Sequence, residues 1–345
     1  MLVSERNTSA EAAKFSRKPG WKQIVEPVQP FLEKVAEDLA SQVGAFHAEI
    51  AHYARYALTN NGKQIRPALV ALSGAAVGHP NESLVKVAVI IEMVHLATLV
   101  HDDVMDEAEL RRGRPTLAAN WGNDISVLVG DCLFAHSVAL AASFPTPDVC
   151  RAVAKATNTV CSGEILQTNQ RHNYALKRQD YIKALEMKTG ELFALSCELG
   201  ASLAGGNTAE SHALRSFGMA LGTGYQIYDD CLDLFGNEAL AGKSLGTDLS
   251  TGKLTLPILL ILEKGDSSDR EMLRNCVESL EPENLGKIFE LLEKYDALSD
   301  TRRVVTQYIK QAQVVLGELK PSEGVEALAA LGDYLAQQTR ALTVQ

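Results

Sequence analysis

The sequence is poor in aromatic residues. Phe, Trp and Tyr make up 6% of the 345 residues, whereas hydrophobic residues as a whole make up 46%. A core of this composition must consist mainly of Ala, Leu, Val and Ile, which suits helices packed on helices. No Gly-, Ser- or Pro-rich linker divides the chain. We therefore predict an all-α protein in which a loose polar arm, residues 1–20, precedes a single helical domain, residues 21–345.

Cysteine pairs and an excess of positive charge are also missing. The six cysteines form no C-x-x-C pair, which favours a reducing, cytoplasmic compartment over disulfides. The net charge of -10 argues against a nucleic-acid partner, because such proteins carry a basic footprint. The first residues do not form a secretory signal, and no uncharged run is long enough to cross a bilayer. We therefore expect at most peripheral membrane contact.

What the sequence does contain is an acidic cluster at the end of a long apolar run, residues 84–99. The run has no Pro or Gly, which indicates a buried helix. On that helix Asp102 and Asp106 lie one turn apart on one face, with Asp103 beside them. Neighbouring carboxylates repel by roughly a few kcal/mol at an effective dielectric of about 20. Such a cluster needs a cation, and Mg²⁺ prefers oxygen ligands of this kind.

A second acidic cluster has the same internal spacing. Asp229-Asp230-x-x-Asp233 again lies in apolar sequence, with Gln226 one helical turn upstream. A single acidic doublet on a helix is equally consistent with a solvated surface. Two matching clusters, each in apolar surroundings, predict a shared metal and diphosphate site.

Five further motifs accompany these clusters, in the order Gly62-Lys63-Gln64-Ile65-Arg66-Pro67, Arg111-Arg112-Gly113, Lys188-Thr189-Gly190, Gly242-Lys243 and Gly252-Lys253. From about Gly62 to Pro257 the set resembles the trans-isoprenyl diphosphate synthases of the polyprenyl synthetase family, in particular the long-chain type. The resemblance implies a large antiparallel helical bundle around a central cavity, the isoprenoid synthase fold. It also implies a homodimer and a Mg²⁺ cofactor, with three ions per site.

The resemblance also assigns roles to individual residues. The positions that would bind isopentenyl diphosphate are Lys63, Arg66, His95 and Arg112. The allylic diphosphate would be bound by Arg111, Lys188, Thr189, Gln226, Lys243 and Lys253. The metal ligands would be Asp102, Asp103, Asp106, Asp229 and Asp233. The residues expected to act in catalysis are Asp102, Asp103, Asp106, Lys188, Asp229 and Asp230.

The residues by themselves leave alternatives open. Lys63 and Arg66 lie three apart on one face at the start of a helix predicted over 63–77, and such a pair is more often plain surface than a binding site. His95 lies two turns before Asp102 on the same face, which also fits a buried core histidine. The Gly- and Ser-rich loop 242–253 resembles a phosphate lid, although its lysines also fit ordinary surface charge.

Two further helices, predicted over 148–170 and 181–203, carry polar residues. Glu164 and Gln167 share a face of the first, where packing in a cavity wall is favoured over hydrogen bonding to a neighbouring helix. In the second, a Lys and a Gly in apolar sequence are costly, which predicts local unwinding that directs Lys188 and Thr189 at a diphosphate. No chemistry is predicted after Pro257.

These residue types support ionisation of an allylic diphosphate, alkylation of the cation by isopentenyl diphosphate, and proton loss. The departed diphosphate is the expected proton acceptor, because no Glu or His stands out as a base. Ala97 and Thr98, one turn before Asp102, are expected to form the first constriction for the growing chain. Both are small, which in the family is typical of long products, so we predict geranylgeranyl length or longer. The floor is expected near Ile90 or Met93, or at a residue of a neighbouring helix.

Three other functions and one variant remain as alternatives. A shorter-chain, farnesyl or geranylgeranyl synthase shares every motif. A class I terpene cyclase shares the first cluster but lacks Lys63, Arg66 and an intact second cluster. A metal phosphohydrolase built on His95, His101 and Asp102 leaves the second cluster unexplained. A regulatory subunit would carry a damaged motif, and none is damaged.

Overall fold

The computed structural model describes residues 20–59, 62–236 and 246–343. Within them the chain is helical apart from one short hairpin and connecting turns, which confirms the predicted all-α class. The helices are α1 (Trp21–Val25), α2 (Gln29–Ser41), α3 (Ala51–Leu58), α4 (Ile65–Val77), α5 (Glu82–Met105), α6 (Leu117–Trp121), α7 (Asn123–Ala142), α8 (Asp148–Asn169), α9 (Arg178–Leu185), α10 (Glu191–Leu203), α11 (Thr208–Phe235), α12 (Thr247–Ser250), α13 (Leu256–Lys264), α14 (Ser267–Glu278), α15 (Pro282–Lys294), α16 (Ala297–Leu316) and α17 (Glu323–Ala341). Strands β1 (Leu110–Arg111) and β2 (Arg114–Pro115) pair antiparallel between α5 and α6.

Helix α5 carries the first acidic cluster, and its sequence explains both of its ends. The Asn81 side chain accepts a hydrogen bond from the Leu84 amide (3.2 Å), which caps the first turn. Asp106 ends the helix, where its amide donates to the Asp102 carbonyl (2.8 Å). The predicted apolar run is therefore one uninterrupted helix. Its length and composition would also allow a membrane span, but 67% of its most apolar window is buried inside the protein.

The helices pack around two groups of buried side chains. One includes Phe193 and Phe217 and joins α4, α10, α11 and α16, and the other includes Leu84 and Met93 and joins α2, α5, α7 and α8. Helix α10 contacts both α4 and α11, and α5 packs on α7. This arrangement places α5 and α11, which carry the two acidic clusters, along the walls of a common cavity.

The predicted unwinding near Lys188 takes the form of a π-helical turn, Glu186–Gly190, between α9 and α10. Single π turns inside helices are frequent at functional sites, because they re-aim one or two side chains. Gly163 on α8 packs directly on this turn: a Cβ at Gly163 would lie 2.7 Å from the backbone nitrogen of Lys188. The helix is therefore wider at this turn, by about one residue per turn, and is not unwound.

One local prediction is wrong, and others lie outside the described residues. Helix α4 begins at Ile65, after Gln64 in a left-handed conformation (φ 50°), so Lys63 and Arg66 do not share a helical face. Residues 1–19 of the predicted arm, and Lys243, are outside the described residues.

Candidate active site

A cavity of about 1530 Å³ brings the two acidic clusters together. Asp102 and Asp106 of α5 line it, as do Asp229 and Asp230 of α11. The predicted cationic residues that line the same cavity are Lys63, Arg66, Arg111, Arg112, Lys188 and Lys253. The geometry thus gathers carboxylates and cations from distant parts of the chain around one space.

Lys188, on the π turn, lies between the clusters. Its Nζ pairs with Glu164, donates a hydrogen bond to Gln167 Oε1 (3.2 Å) and lies 3.7 Å from Asp102 Oδ2. Burial lowers the pKa of Lys188, but the carboxylates of Asp102 and Glu164 outweigh it and raise that pKa overall. Lys188 is therefore a fixed positive charge. Glu164 and Gln167, which sequence reasoning favoured as wall packing, position it.

A chain of hydrogen bonds continues from the same turn to the second cluster. The Thr189 hydroxyl donates to Gln226 Oε1 (2.7 Å), and Gln226 Nε2 donates to Asp230 Oδ1 (2.9 Å). The Tyr181 hydroxyl donates to the other oxygen of Asp230 (2.5 Å). Asp230 is thereby held in one orientation by two neutral donors. Burial, and then the nearby Asp230, raise the pKa of Tyr181 well above its usual range, so it remains a donor.

The structure does not place two of the predicted metal ligands in the cavity. Asp103 is buried and accepts a hydrogen bond from Arg111 Nε (2.5 Å). Asp233 is also buried; its oxygens accept the Thr247 hydroxyl (3.0 Å) and the Asp248 amide (3.0 Å). In this structure Asp103 therefore orients Arg111, and Asp233 anchors α12. That either carboxylate binds metal stays a prediction.

The basic side of the cavity combines part-buried residues with the exposed cations Lys63 and Arg112. Arg66 and His95 line it beside Glu92, which sequence reasoning missed. Arg66 stacks on Phe193 (5.1 Å from the ring centroid), and its Nε is buried without a hydrogen-bond partner. A Cβ on Gly62 would lie 2.5 Å from the Arg112 guanidinium, so a larger residue there would require the arginine to shift. Cationic donors gathered in this way are suited to a diphosphate.

One part of the cavity wall is apolar. Helices α5, α7, α8 and α10 contribute its lining, namely Thr98, Leu99, Val127, Phe134, Val160 and Leu192. The prediction for Ala97 is wrong: it is fully buried in the core and is not among the cavity-lining residues. Its position is turned about 140° around the helix from Asp102, whereas Thr98 is turned only about 40°. Ile90 and Met93 are fully buried too and form no floor.

Comparison with protein families matches residues 47–295 to the family described as Polyprenyl synthetase. The chain belongs to the polyprenyl synthetase family. This confirms the resemblance seen in the motifs, and with it the prediction of a prenyltransferase that makes polyprenyl diphosphates.

Individual members of the family are similar over almost the whole chain. The heptaprenyl diphosphate synthase component 2 of Bacillus subtilis is 34% identical over 307 residues, covering 89% of this chain and 88% of its own. A decaprenyl diphosphate synthase structure from Rhodobacter capsulatus has a TM-score of 0.87 at 30% identity, and the match covers 93% of this chain and 99% of that one. A Caulobacter crescentus polyprenyl synthase, solved with calcium and isoprenyl diphosphate, has the same TM-score and identity, and the match covers 93% of this chain and 98% of that one.

The polyprenyl synthetase family implies a divalent metal, and the donor set fits one. Asp102, Asp106 and Asp229 offer carboxylate oxygens to the same cavity, which suits a hard cation. Within the described residues no group of three or more His, Cys, Asp or Glu side chains is arranged to hold a metal ion by itself. A cation there would complete its shell with waters and diphosphate oxygens, as Mg²⁺ usually does.

The C-terminal part of this family member, where no chemistry was predicted, also contributes to the cavity. Its last described helix and the residues after it supply Gln338, Ala341, Leu342 and Thr343 to the lining. Arg302 on α16 holds this segment by donating to the carbonyls of Thr339 (3.3 Å) and Arg340 (3.3 Å). No sequence signal marks these positions, because small and apolar residues at a helix end are ordinary.

His95 gives a test of burial on the basic side. Burial, together with the positive charges of Arg66 and Arg112, holds the pKa of His95 well below its usual value. The unfolded chain therefore binds a proton below about pH 6.5 that the folded protein does not, and stability falls as pH falls. Between pH 7 and pH 5 we expect wild type to lose about 2 kcal/mol more unfolding free energy than His95→Gln. Denaturant titrations measure this difference.

The control is His79→Gln, which removes an exposed histidine. Between pH 7 and pH 5 this variant should lose as much unfolding free energy as wild type does. Equal slopes for wild type and His95→Gln would contradict a buried neutral imidazole.

Proposed function

We propose that this enzyme is a long-chain trans-polyprenyl diphosphate synthase, which condenses isopentenyl diphosphate head-to-tail with an allylic diphosphate and uses Mg²⁺. The observation that supports it is the single cavity, in which two acidic clusters, a basic group and an apolar wall meet. The acidic part suits a metal-bound allylic diphosphate. The basic part suits a second diphosphate, and the apolar wall suits a hydrocarbon chain.

The first step is ionisation of the allylic diphosphate. Mg²⁺, held by Asp102, Asp106 and Asp229, would neutralise charge that develops on the leaving diphosphate. Lys188 and Lys253 add fixed positive charge on the same side of the cavity. The C–O bond breaks, both electrons leave with the diphosphate, and an allylic cation remains beside the apolar wall, away from water.

The second step is alkylation. Lys63, Arg66 and Arg112 bind the diphosphate of isopentenyl diphosphate, and the neutral His95 adds a hydrogen bond. The double bond of isopentenyl diphosphate attacks the cation and forms the new C–C bond. A proton then leaves the adjacent carbon, and the released diphosphate accepts it. The product is the elongated allylic diphosphate.

Incubation of the purified protein with Mg²⁺, labelled isopentenyl diphosphate and farnesyl diphosphate tests this function. We expect labelled diphosphates longer than C20. A class I terpene cyclase would instead release unlabelled hydrocarbons from the primer alone, and a phosphohydrolase would release prenyl alcohol. Either result, or products that stop at C20, would contradict the proposal.

Thr98 tests the apolar wall as the path of the chain. Thr98→Phe should place a ring in the space that the growing chain follows, because Thr98 lines the cavity four residues before Asp102. We expect the main product to shorten by several isoprene units while consumption of the primer continues. Thr98→Val, which keeps the size, should retain the wild-type distribution. An unchanged distribution in Thr98→Phe would place the chain elsewhere.

The enzyme is also proposed to form a homodimer through α7. Only 33% of the most apolar window of α7 is buried, so one face of a highly hydrophobic helix is left to solvent. The exposed apolar residues of α7 and the adjoining α8 are Val127, Leu128, Val138, Ile165 and Leu166. A second copy, which the resemblance implies, would bury this face.

Sedimentation of Leu128→Glu tests the homodimer. The variant puts a charge at the centre of the exposed face, and we expect it to sediment as a monomer at concentrations where wild type is dimeric. Val314→Glu on α16, also at an exposed apolar residue, should stay dimeric. A monomeric wild type that becomes active only with another chain would contradict the homodimer and favour a two-component enzyme.

The cellular location is proposed to be the cytoplasm, with at most peripheral contact to a membrane that accepts the product. The support is compositional: the six cysteines are free, which is typical of a reducing compartment. Cell fractionation should recover most of the enzyme in the soluble fraction, and firm retention in membranes after a high-salt wash would contradict it.

A further inference from the structure

Arg171 lies just after α8, and neither the motifs nor the mechanism above assigns it a role. Its Nη2 donates to Asp106 Oδ1 (2.8 Å), and Lys253 Nζ donates to Asp106 Oδ2 (3.1 Å). Each oxygen of the Asp106 carboxylate, which faces the cavity, therefore accepts a hydrogen bond from a positively charged side chain. The Nε of Arg171 is buried without a hydrogen-bond partner, so the guanidinium has donor capacity that Asp106 does not use.

The two cations are held together by a contact between their backbones. The amide of His172 donates to the carbonyl of Gly252 (2.8 Å). Gly252 has φ +74°, a conformation that favours glycine, and a Cβ there would lie 2.2 Å from His172 Nε2, so the imidazole ring would also have to move. The Lys253 amide in turn donates to the Asp248 carbonyl (2.7 Å). Arg171 and Lys253 thus reach Asp106 as one unit from two separate parts of the chain.

This arrangement weakens the binding of a divalent metal ion to Asp106 when no diphosphate is bound. A metal ion on Asp106 would have to displace Arg171 and Lys253 or lie beside them, and like charges at such distances repel. A diphosphate changes the balance, because its oxygens accept hydrogen bonds from both cations while also binding the metal. The metal and the diphosphate should therefore favour each other's binding by the same factor.

We propose that Arg171 is a positioning residue that makes metal binding at Asp106 depend on a diphosphate. The proposal rests on the proposed function, since it takes the diphosphate to be that of the allylic substrate. Arg171 neutralises Asp106 in the absence of diphosphate. When a diphosphate binds, the guanidinium transfers part of its hydrogen bonding to it and leaves the carboxylate to the metal.

The test measures Mn²⁺ binding to the full chain by electron paramagnetic resonance, with and without inorganic pyrophosphate and with correction for Mn²⁺–pyrophosphate in solution. For wild type we expect weak binding of Mn²⁺ alone and an enhancement by pyrophosphate of about 5- to 150-fold. Arg171→Gln should bind Mn²⁺ alone about three- to fivefold more tightly, and the enhancement should shrink by a similar factor. Arg171→Lys should restore most of the wild-type behaviour.

The matched control is Arg178→Gln, which removes an arginine paired with Glu263 outside the cavity lining. It should leave both Mn²⁺ measurements unchanged. If Arg171→Gln does not fold, Lys253→Met should shift binding of Mn²⁺ alone in the same direction. Unchanged or weaker binding of Mn²⁺ alone in the folded variant, with the pyrophosphate enhancement intact, would overturn the proposal.

The readout separates this inference from the proposed function, because it involves no isopentenyl diphosphate and no turnover. Loss of the expected linkage in a protein that makes polyprenyl diphosphates would overturn only the role of Arg171. Intact linkage in a protein that makes no such product would overturn only the function.

Discussion

Replacing Asp102 with Asn should lower kcat by about 1,000-fold or more while the protein remains folded. Asp102 lines the cavity on the acidic face of α5 and lies 3.7 Å from Lys188. The amide keeps the shape of the side chain but removes the charge that would hold Mg²⁺. Lys188 would keep its pairing with Glu164. Steady-state rates with saturating substrates and Mg²⁺ measure the loss.

Asp148→Asn is the matched control, because Asp148 is an exposed acidic residue paired with Arg151 on α8. It should keep near wild-type kcat. Asp102→Asn should also melt within a few degrees of wild type. Retention of more than a tenth of wild-type kcat, roughly 1.4 kcal/mol of barrier, would show that Asp102 does not act on the reacting diphosphate.

Arg66→Met should have the second-largest effect, and on one substrate only. Arg66 is part-buried near Glu92 and against Phe193, with its Nε out of contact with water, where a charge-assisted hydrogen bond to a diphosphate meets less competition from water. We expect KM for isopentenyl diphosphate to rise by about 100-fold, from roughly 3 kcal/mol of lost interaction. KM for the allylic substrate should change by less than about twofold.

We expect Arg66→Met to remain folded, because the Glu92 carboxyl can adapt to the loss of the arginine. Burial already raises the pKa of Glu92, and Arg66 and Arg112 only partly oppose that rise, so the carboxyl can become neutral when Arg66 is lost. The control is Arg114→Met, which removes an arginine that stacks on Tyr56 (4.4 Å), outside the cavity lining. A similar rise in both KM values would mean that Arg66 supports the cavity as a whole.

The parts of the fold that follow from local pattern could be predicted from the sequence. The Asn81 cap and the apolar run after it specify α5, and the i, i+4 spacing places Asp102 and Asp106 on one face. The misfit of Lys and Gly in an apolar helix indicated the irregularity at Lys188. In each case the relevant contacts lie within a few residues of one another.

The features that could not be predicted from the sequence depend on contacts between distant elements. Asp103 and Asp233 match Asp102 and Asp229 in type and spacing, but Arg111 and the start of α12 occupy their oxygens. Ala97 and Thr98 are adjacent and both small, but Ala97 faces the packed core whereas Thr98 faces the cavity. Arg171 reaches Asp106 across 65 positions of sequence, a pairing that no local pattern encodes.

The central claim is that α5 and α11 serve one metal–diphosphate site. Anomalous diffraction from crystals grown with Mn²⁺ and a non-ionisable thio analogue of the allylic diphosphate tests it most directly. The account predicts Mn²⁺ peaks that bridge the diphosphate to Asp102 and Asp106 on one side and to Asp229 on the other. Peaks confined to one cluster, or a diphosphate bound away from both, would contradict it.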